Sequence, residues 1–151
     1  MTTSTYMFSY CTALVGGQGT TWNESNPKDK TYAHIDGGTS NPGYFTEKPK
    51  DAYACYTSDN TTLTFYYDHM RNARTGRIYD LNTGSNYPDW YSGDNHRVTQ
   101  AVFDPSFADA RPTTTYRWFA EMEKLLSIEG LEYLNTSCVT DMREMFQKCN
   151  K

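Results

Sequence analysis

One phrase is written three times in this chain, and its spacing limits the fold more than any other feature. The stretches "STYMFSYCTALVGG", "TYRWFAEMEKLLSI" and "DMREMFQKCNK" align without gaps. Met7, Cys11, Leu14 and Val15 stand at offsets 0, 4, 7 and 8, and Trp118, Met122, Leu125 and Leu126 repeat them. Met145 and Cys149 give the first two again, and a Phe follows the first position each time: Phe8, Phe119 and Phe146. Offsets of this kind mark one face of a short amphipathic helix. Thr residues precede the first two copies, and Asp141 with Glu144 forms a D-x-x-E pair able to cap the third. Gly16 and Gly17 stop the first.

The second and third copies lie 27 residues apart, Trp118 to Met145, with a short strand candidate around 127–131 between them. Helix, short strand and return at a period of 20–30 residues predict a solenoid of the leucine-rich-repeat kind. Such a core here must be aromatic. Leu, Ile, Val and Phe number only 21 of 151 residues, whereas 13 Tyr, 3 Trp and 6 Met are present. Rings bury large areas provided that their polar ends find partners.

The phrase "NTSCVTDMREMFQKC", with "LEYLNTS" before it, resembles the BspA-like leucine-rich repeats of bacterial surface proteins. "MFSYCTALVGGQGTTW" onward looks like a last repeat and closing cap. "AYACYTSDNTTLTFYYD" onward looks like an opening cap and first repeat. The resemblance implies an α+β chain: a leucine-rich-repeat-like solenoid fragment with a small antiparallel β cap. Residues 1–46 would be the terminal repeat and closing cap, and 47–51 a linker. Residues 52–110 would form the β-rich opening cap, and 111–151 the first repeat and the start of the second. Met7, Phe8, Cys11, Leu14, Trp118, Phe119, Met122, Leu125, Met145, Phe146 and Cys149 are expected to face the repeat core. The layout leaves two bare edges, which predicts head-to-tail contact between chains or closure within one.

Within the cap, "AYACYT" and "TLTFYYD" flank the polar turn "SDNT", a hairpin pattern, and "RIYDL" and "RVTQAVFD" are further strand candidates. In the first piece a strand is expected around 31–35.

Function classes narrow in the same way. The net charge is −4 and no basic cluster exceeds "RNARTGR", so nucleic acid is not an expected partner. The apolar runs are too short to span a bilayer, and residues 1–20 do not read as a signal peptide. Cys11, Cys55, Cys138 and Cys149 form no C-x-x-C pair, and His34, His69 and His96 are scattered. Neither metal nor cofactor is expected, and free thiols are favoured over disulfides. Asp89, Asp94, Asp104 and Asp109 lie near one another in sequence, but their contexts read as turns, and Ser106 has no triad setting. "DLNTGSNYPD" has calcium-loop residues at Asp80, Asn82 and Gly84 yet places Tyr91 where a bidentate Glu is required. "GGQG" and "DGG" read as turns, and Asn23, Asn60 and Asn135 each head an N-x-S/T triplet.

No enzyme is expected. Tyr87, Trp90 and Tyr91 in "NYPDWY" form the candidate binding surface, with filling of the cap's core as the competing use of the same rings. The resemblance implies a cell-surface or secreted adhesion module for a protein ligand, in host matrix or on other cells. A carbohydrate-binding module using the aromatic loop is the alternative.

Overall fold

The computed structural model describes residues 3–91 and 95–149. They belong to two compact units, residues 1–48 and 49–151.

The second unit is built on a hairpin. Strand β1 (Asp51–Tyr56) and strand β2 (Thr62–Asp68) pair antiparallel with Ala54 opposite Phe65 and Tyr56 opposite Leu63. The turn between them is held by Asp59, whose carboxylate accepts from the Thr57 and Thr61 hydroxyls at 2.7 and 2.9 Å. Strand β3 (Arg77–Asp80) adds antiparallel to the free side of β1. Strands β4 (Gln100–Phe103) and β5 (Ser127–Glu129) add in parallel beyond β2, giving the order β3-β1-β2-β4-β5.

Alternate residues of these strands point into one core, because side chains in a strand change face at every residue. Ala54, Tyr56, Leu63, Phe65, Ala101 and Phe103 are all buried there, together with Trp90, Phe107, Trp118, Phe119 and Met122. Phe65 is the hub. It stacks on Phe103 at 4.7 Å and on Trp118 at 4.9 Å, and meets Trp90, Phe107 and Phe119 edge-on. The opposite face of β1 is closed by Arg74. Its guanidinium lies 3.7 Å over the Tyr66 ring and donates to Asp68 at 2.6 Å and to the Tyr53 hydroxyl at 3.2 Å.

The repeated phrase is not helical. No α-helix occurs among the described residues; the helical segments are short 3-10 turns. The chain instead runs as consecutive tight turns closed by bonds three residues apart. Trp118 N–H donates to Thr115, Ala120 to Arg117 and Met122 to Phe119, and Met145, Gln147 and Cys149 repeat the pattern. The turns closed at Trp118, Met122, Met145 and Cys149 each carry a left-handed residue in third position, Arg117, Glu121, Glu144 and Lys148, and those closed at Met7 and Cys11 carry Tyr6 and Tyr10 likewise. A left-handed residue every fourth position brings Trp118 and Met122 back to one side, so the four-residue apolar spacing imitates a helix without forming one.

The leucine-rich-repeat solenoid is overturned by the same findings. The organising element of the second unit is an open, mixed five-stranded sheet, and the expected repeat helices do not exist. Nor is the β region purely antiparallel, since β2, β4 and β5 run parallel. Because β4 pairs β5, residues 52–110 and the segment after 111 share one sheet. The expected strand at 31–35 is a 3-10 turn at Lys30–Tyr32, with Ile35 joined to Phe45 by a single bridge.

The first unit has little regular structure and is organised around a buried carboxylate. Asp36 accepts from the Gln18 and Thr20 amides at 2.9 and 3.0 Å, the Thr20 hydroxyl at 2.7 Å, and the Gly38 and Gly43 amides at 3.0 and 3.3 Å. Phe8 packs edge-on against Tyr44, and the Trp22 indole N–H donates to the Phe8 carbonyl at 2.8 Å.

Candidate binding surface

Of the aromatic loop, Trp90 is 0% exposed and belongs to the core. Its indole N–H donates to the Trp118 carbonyl at 2.8 Å, and its own carbonyl accepts from the Tyr56 hydroxyl at 3.0 Å. The polar atoms of the ring and backbone are thereby satisfied inside an apolar setting. Tyr87, in contrast, is 49% exposed, and its ring lies 4.9 Å from that of Tyr91 and 6.0 Å from that of Tyr116.

Two arginines complete this face. The Arg117 guanidinium sits 4.6 Å from the Tyr87 ring centre and 5.5 Å from that of Tyr116, and Arg143 sits 5.6 Å from Tyr116. Cation–ring contacts of this length are attractive. Arg143 also donates to Asp141 at 2.8 Å and to the Ser85 hydroxyl at 2.9 Å, which ties the 82–87 loop to the last turn segment. Hydrogen bonds from Arg143 hold the Asp141 carboxyl well below the usual range. Arg117 pairs with Glu144, and its Nε is buried with no partner among the described residues. Burial disfavours its charge, but Glu144 together with Tyr116 and Tyr87 outweighs burial and holds the guanidinium protonated. Beside it, burial and a bond to Glu121 push the Tyr91 phenol up, while Lys148, at 2.7 Å, holds Glu121 down.

Tyr116, Arg117 and Arg143 were not among the residues singled out by sequence. They enter this face because residues 116–121 and 143–148 run side by side, which brings positions 27 residues apart together. The constant spacing of the repeated phrase was the available signal.

The other candidates are distributed as follows. Among the expected core residues, Phe8, Trp118, Phe119, Met122, Leu125 and Met145 are buried, and Cys11, Leu14 and Cys149 are half-buried. Met7 is 53% and Phe146 47% exposed, and no turn segment among the described residues covers them. The four cysteines are free thiols, with Cys55 buried and Cys138 exposed. Asp104 caps the turn at Pro105–Asp109 by accepting from Ser106 N–H at 2.9 Å, and Asp109 faces Lys50 at 3.8 Å. Asp94 lies outside the described residues.

In the calcium-like loop, Asp80 is paired with Arg71. The Asn82 side chain is used up internally: it donates to the Asn86 and Tyr116 carbonyls and accepts from the Trp118 indole at 2.7 Å. Asn23 and Asn135 form Asx turns, accepting at 2.9 Å from Ser25 and Ser137 N–H. A shallow groove beside the Tyr–Arg face is lined by Tyr67, Leu81, Asn82, Asp109, Arg111 and Thr113, among others. Asp109 is its one carboxylate. No group of three His, Cys, Asp or Glu residues placed to hold a metal occurs among the described residues, and no helix there is long and apolar enough to cross a membrane.

No family model, curated protein or solved structure matches the chain.

Proposed function

We propose that this chain is a non-enzymatic binding module that engages a protein partner through the Tyr87–Tyr91–Tyr116–Arg117–Arg143 face. The observation that carries this reading is the exposed Tyr87 ring held over Arg117 and beside Tyr116. Tyr and Arg are the residue types that concentrate binding energy at protein interfaces, and here each is already fixed by its neighbours, so little freedom is lost on docking. The resemblance of "NTSCVTDMREMFQKC" to bacterial surface repeats supports an adhesive role on a cell surface, with matrix or cell-surface protein as ligand.

The test is surface plasmon resonance of the chain over immobilised extracellular-matrix proteins, comparing wild type with a Tyr87→Ala/Tyr91→Ala variant. Loss of at least roughly tenfold in affinity, with unchanged circular dichroism, is the expected result. Equal binding by the double variant removes this face from the function. Binding to glycans alone on an array transfers the surface to the carbohydrate reading. Trp90→Ala is the wrong variant for either purpose, because that ring is core and its removal tests folding.

A further inference from the structure

The two adjacent turn segments of the second unit are stitched together by a backbone ladder with a repeating rule. Thr115, Arg117, Phe119 and Glu121 donate their N–H groups to the carbonyls of Asp141, Arg143, Met145 and Gln147, at 2.9, 3.3, 2.9 and 2.7 Å. Every second N–H therefore points to the next segment, while the intervening ones close local turns. Rings follow the same register, Phe119 stacking on Phe146 at 5.3 Å with 13° between planes. So do charges at the left-handed positions, Arg117 facing Glu144 and Glu121 facing Lys148.

Advancing the rule by 27 residues identifies the next donors as the N–H groups of Met142, Glu144, Phe146 and Lys148. None has a partner among the described residues. The first unit contains the third copy of the phrase, whose corresponding acceptors are the carbonyls of Thr3, Thr5, Met7 and Ser9. None of these accepts a backbone N–H among the described residues. The donor side of that copy is partly closed by its own chain, since Phe8 N–H donates to the Lys28 carbonyl at 2.9 Å and the Ser4 hydroxyl accepts from Lys30 N–H. A groove lined by Thr3, Ser4, Thr5, Met7 and Lys30 runs along the copy. Half-exposed apolar residues lie on both open edges, Met7 on one and Met142 and Phe146 on the other.

We propose that the occupant of the open edge at 142–148 is residues 3–10 of a second copy of this chain, joined in the same register. Met142, Glu144, Phe146 and Lys148 donate to Thr3, Thr5, Met7 and Ser9 of the next molecule. Met7 comes to lie over Met145, and Phe146 loses its exposed side. Unpaired backbone groups in a row are a standing template for pairing, and a donor row matches only an acceptor row at equal spacing. The described residues carry one edge of each kind, so the contact is heterologous and generates chains or rings of molecules rather than a closed dimer. The inference does not depend on the Tyr–Arg face.

The left-handed positions supply a sign-sensitive test. In this register Tyr6 and Tyr10 of the incoming chain meet Glu144 and Lys148. Both tyrosines are largely in solvent, at 76% and 89% exposed, so they can be replaced without loss of core. Arg, Glu and Lys already occupy the same backbone conformation at 117, 121, 144 and 148, so it accepts such side chains. Light scattering coupled to size exclusion, over a concentration series, is expected to give masses rising through integer multiples of the monomer. Tyr6→Arg/Tyr10→Glu restores the Arg117/Glu121 pattern and keeps or tightens assembly. Tyr6→Glu/Tyr10→Lys opposes like charges and weakens it by roughly tenfold or more. Circular dichroism verifies that both variants fold. A wild type that stays monomeric at its highest soluble concentration overturns the proposal, as does an equal response to the two sign patterns.

Discussion

Phe65 touches five other rings, and that density decides what its loss does. Aliphatic residues are too few in this sequence to close over a hole left at the hub, so Phe65→Ala is expected to cost about 3–5 kcal/mol in urea unfolding. Trp90→Phe keeps most of the volume but strands the Trp118 carbonyl, and a loss of about 1–3 kcal/mol is expected. The cysteines differ by environment alone. Burial pushes the Cys55 thiol up and does the same at Cys149, where Sγ lies 3.0 Å from the Phe119 carbonyl. Titration with a maleimide should therefore label exposed Cys138 first and Cys55 only on denaturation. Rapid labelling of Cys55 in the native protein would contradict its placement between Tyr56 and Thr75.

At the scale of elements, the turn segments rest on left-handed residues that are not glycine. Glu121 has φ 60° and Glu144 φ 57°, a region where a branched Cβ is strained. Glu121→Val should cost about 1–2 kcal/mol in thermal melting. Glu121→Gly should lose less, giving up only the side-chain bonds to Lys148 and Tyr91 while relieving the backbone. The reverse order would mean that side-chain contacts, not the backbone, hold the turn. Gly130 makes the complementary case at φ +68°. A Cβ there would stand 2.2 Å from the Phe103 carbonyl, so Gly130→Ala should displace β5 from β4.

These turns also explain how much of the fold was legible. The hairpin was readable because period-two alternation in "TLTFYYD" and the polar "SDNT" are local signals. The turn segments were misread because apolar residues four apart satisfy a helix and a chain of left-handed turns equally. Tyr, Arg, Glu and Lys at positive φ leave no mark in composition. Parallel pairing of β2 with β4 and of β4 with β5 joins residues far apart in sequence, which no local pattern announces. The proposed binding face was half visible: Tyr87 and Tyr91 stood out as a cluster, whereas Arg117 and Arg143 needed the 27-residue register.

The whole molecule divides into two units, and the buried carboxylate of the first, Asp36, is held by different means from Asp68 and Asp141 of the second, so acid should separate them. In the second unit Asp68 and Asp141 lean on cations, Arg74 and Arg143. In the first, every donor to Asp36 is neutral: the Gln18, Thr20, Gly38 and Gly43 amides and the Thr20 hydroxyl. Burial pushes the Asp36 carboxyl up, but the Thr20, Gly38 and Gln18 bonds outweigh burial and hold it well below the ordinary aspartate range. A carboxyl depressed in the folded state binds its proton more readily once unfolded, so stability falls as pH falls. The contribution is complete above about pH 5 and erodes below about pH 4, where unfolded aspartate begins to protonate. Salt should leave this erosion unchanged, since no ion pair is involved, whereas the Asp141–Arg143 pair is exposed to screening. Amide hydrogen exchange of the full chain resolves the units separately. Gln18, Thr20 and Gly38 are expected to lose protection between about pH 4 and 2 at both low and high salt. In Asp36→Asn those amides should be poorly protected at neutral pH, with little further change on acidification. Protection at Thr20 that is indifferent to pH in the wild type would show that the carboxylate does not organise this unit.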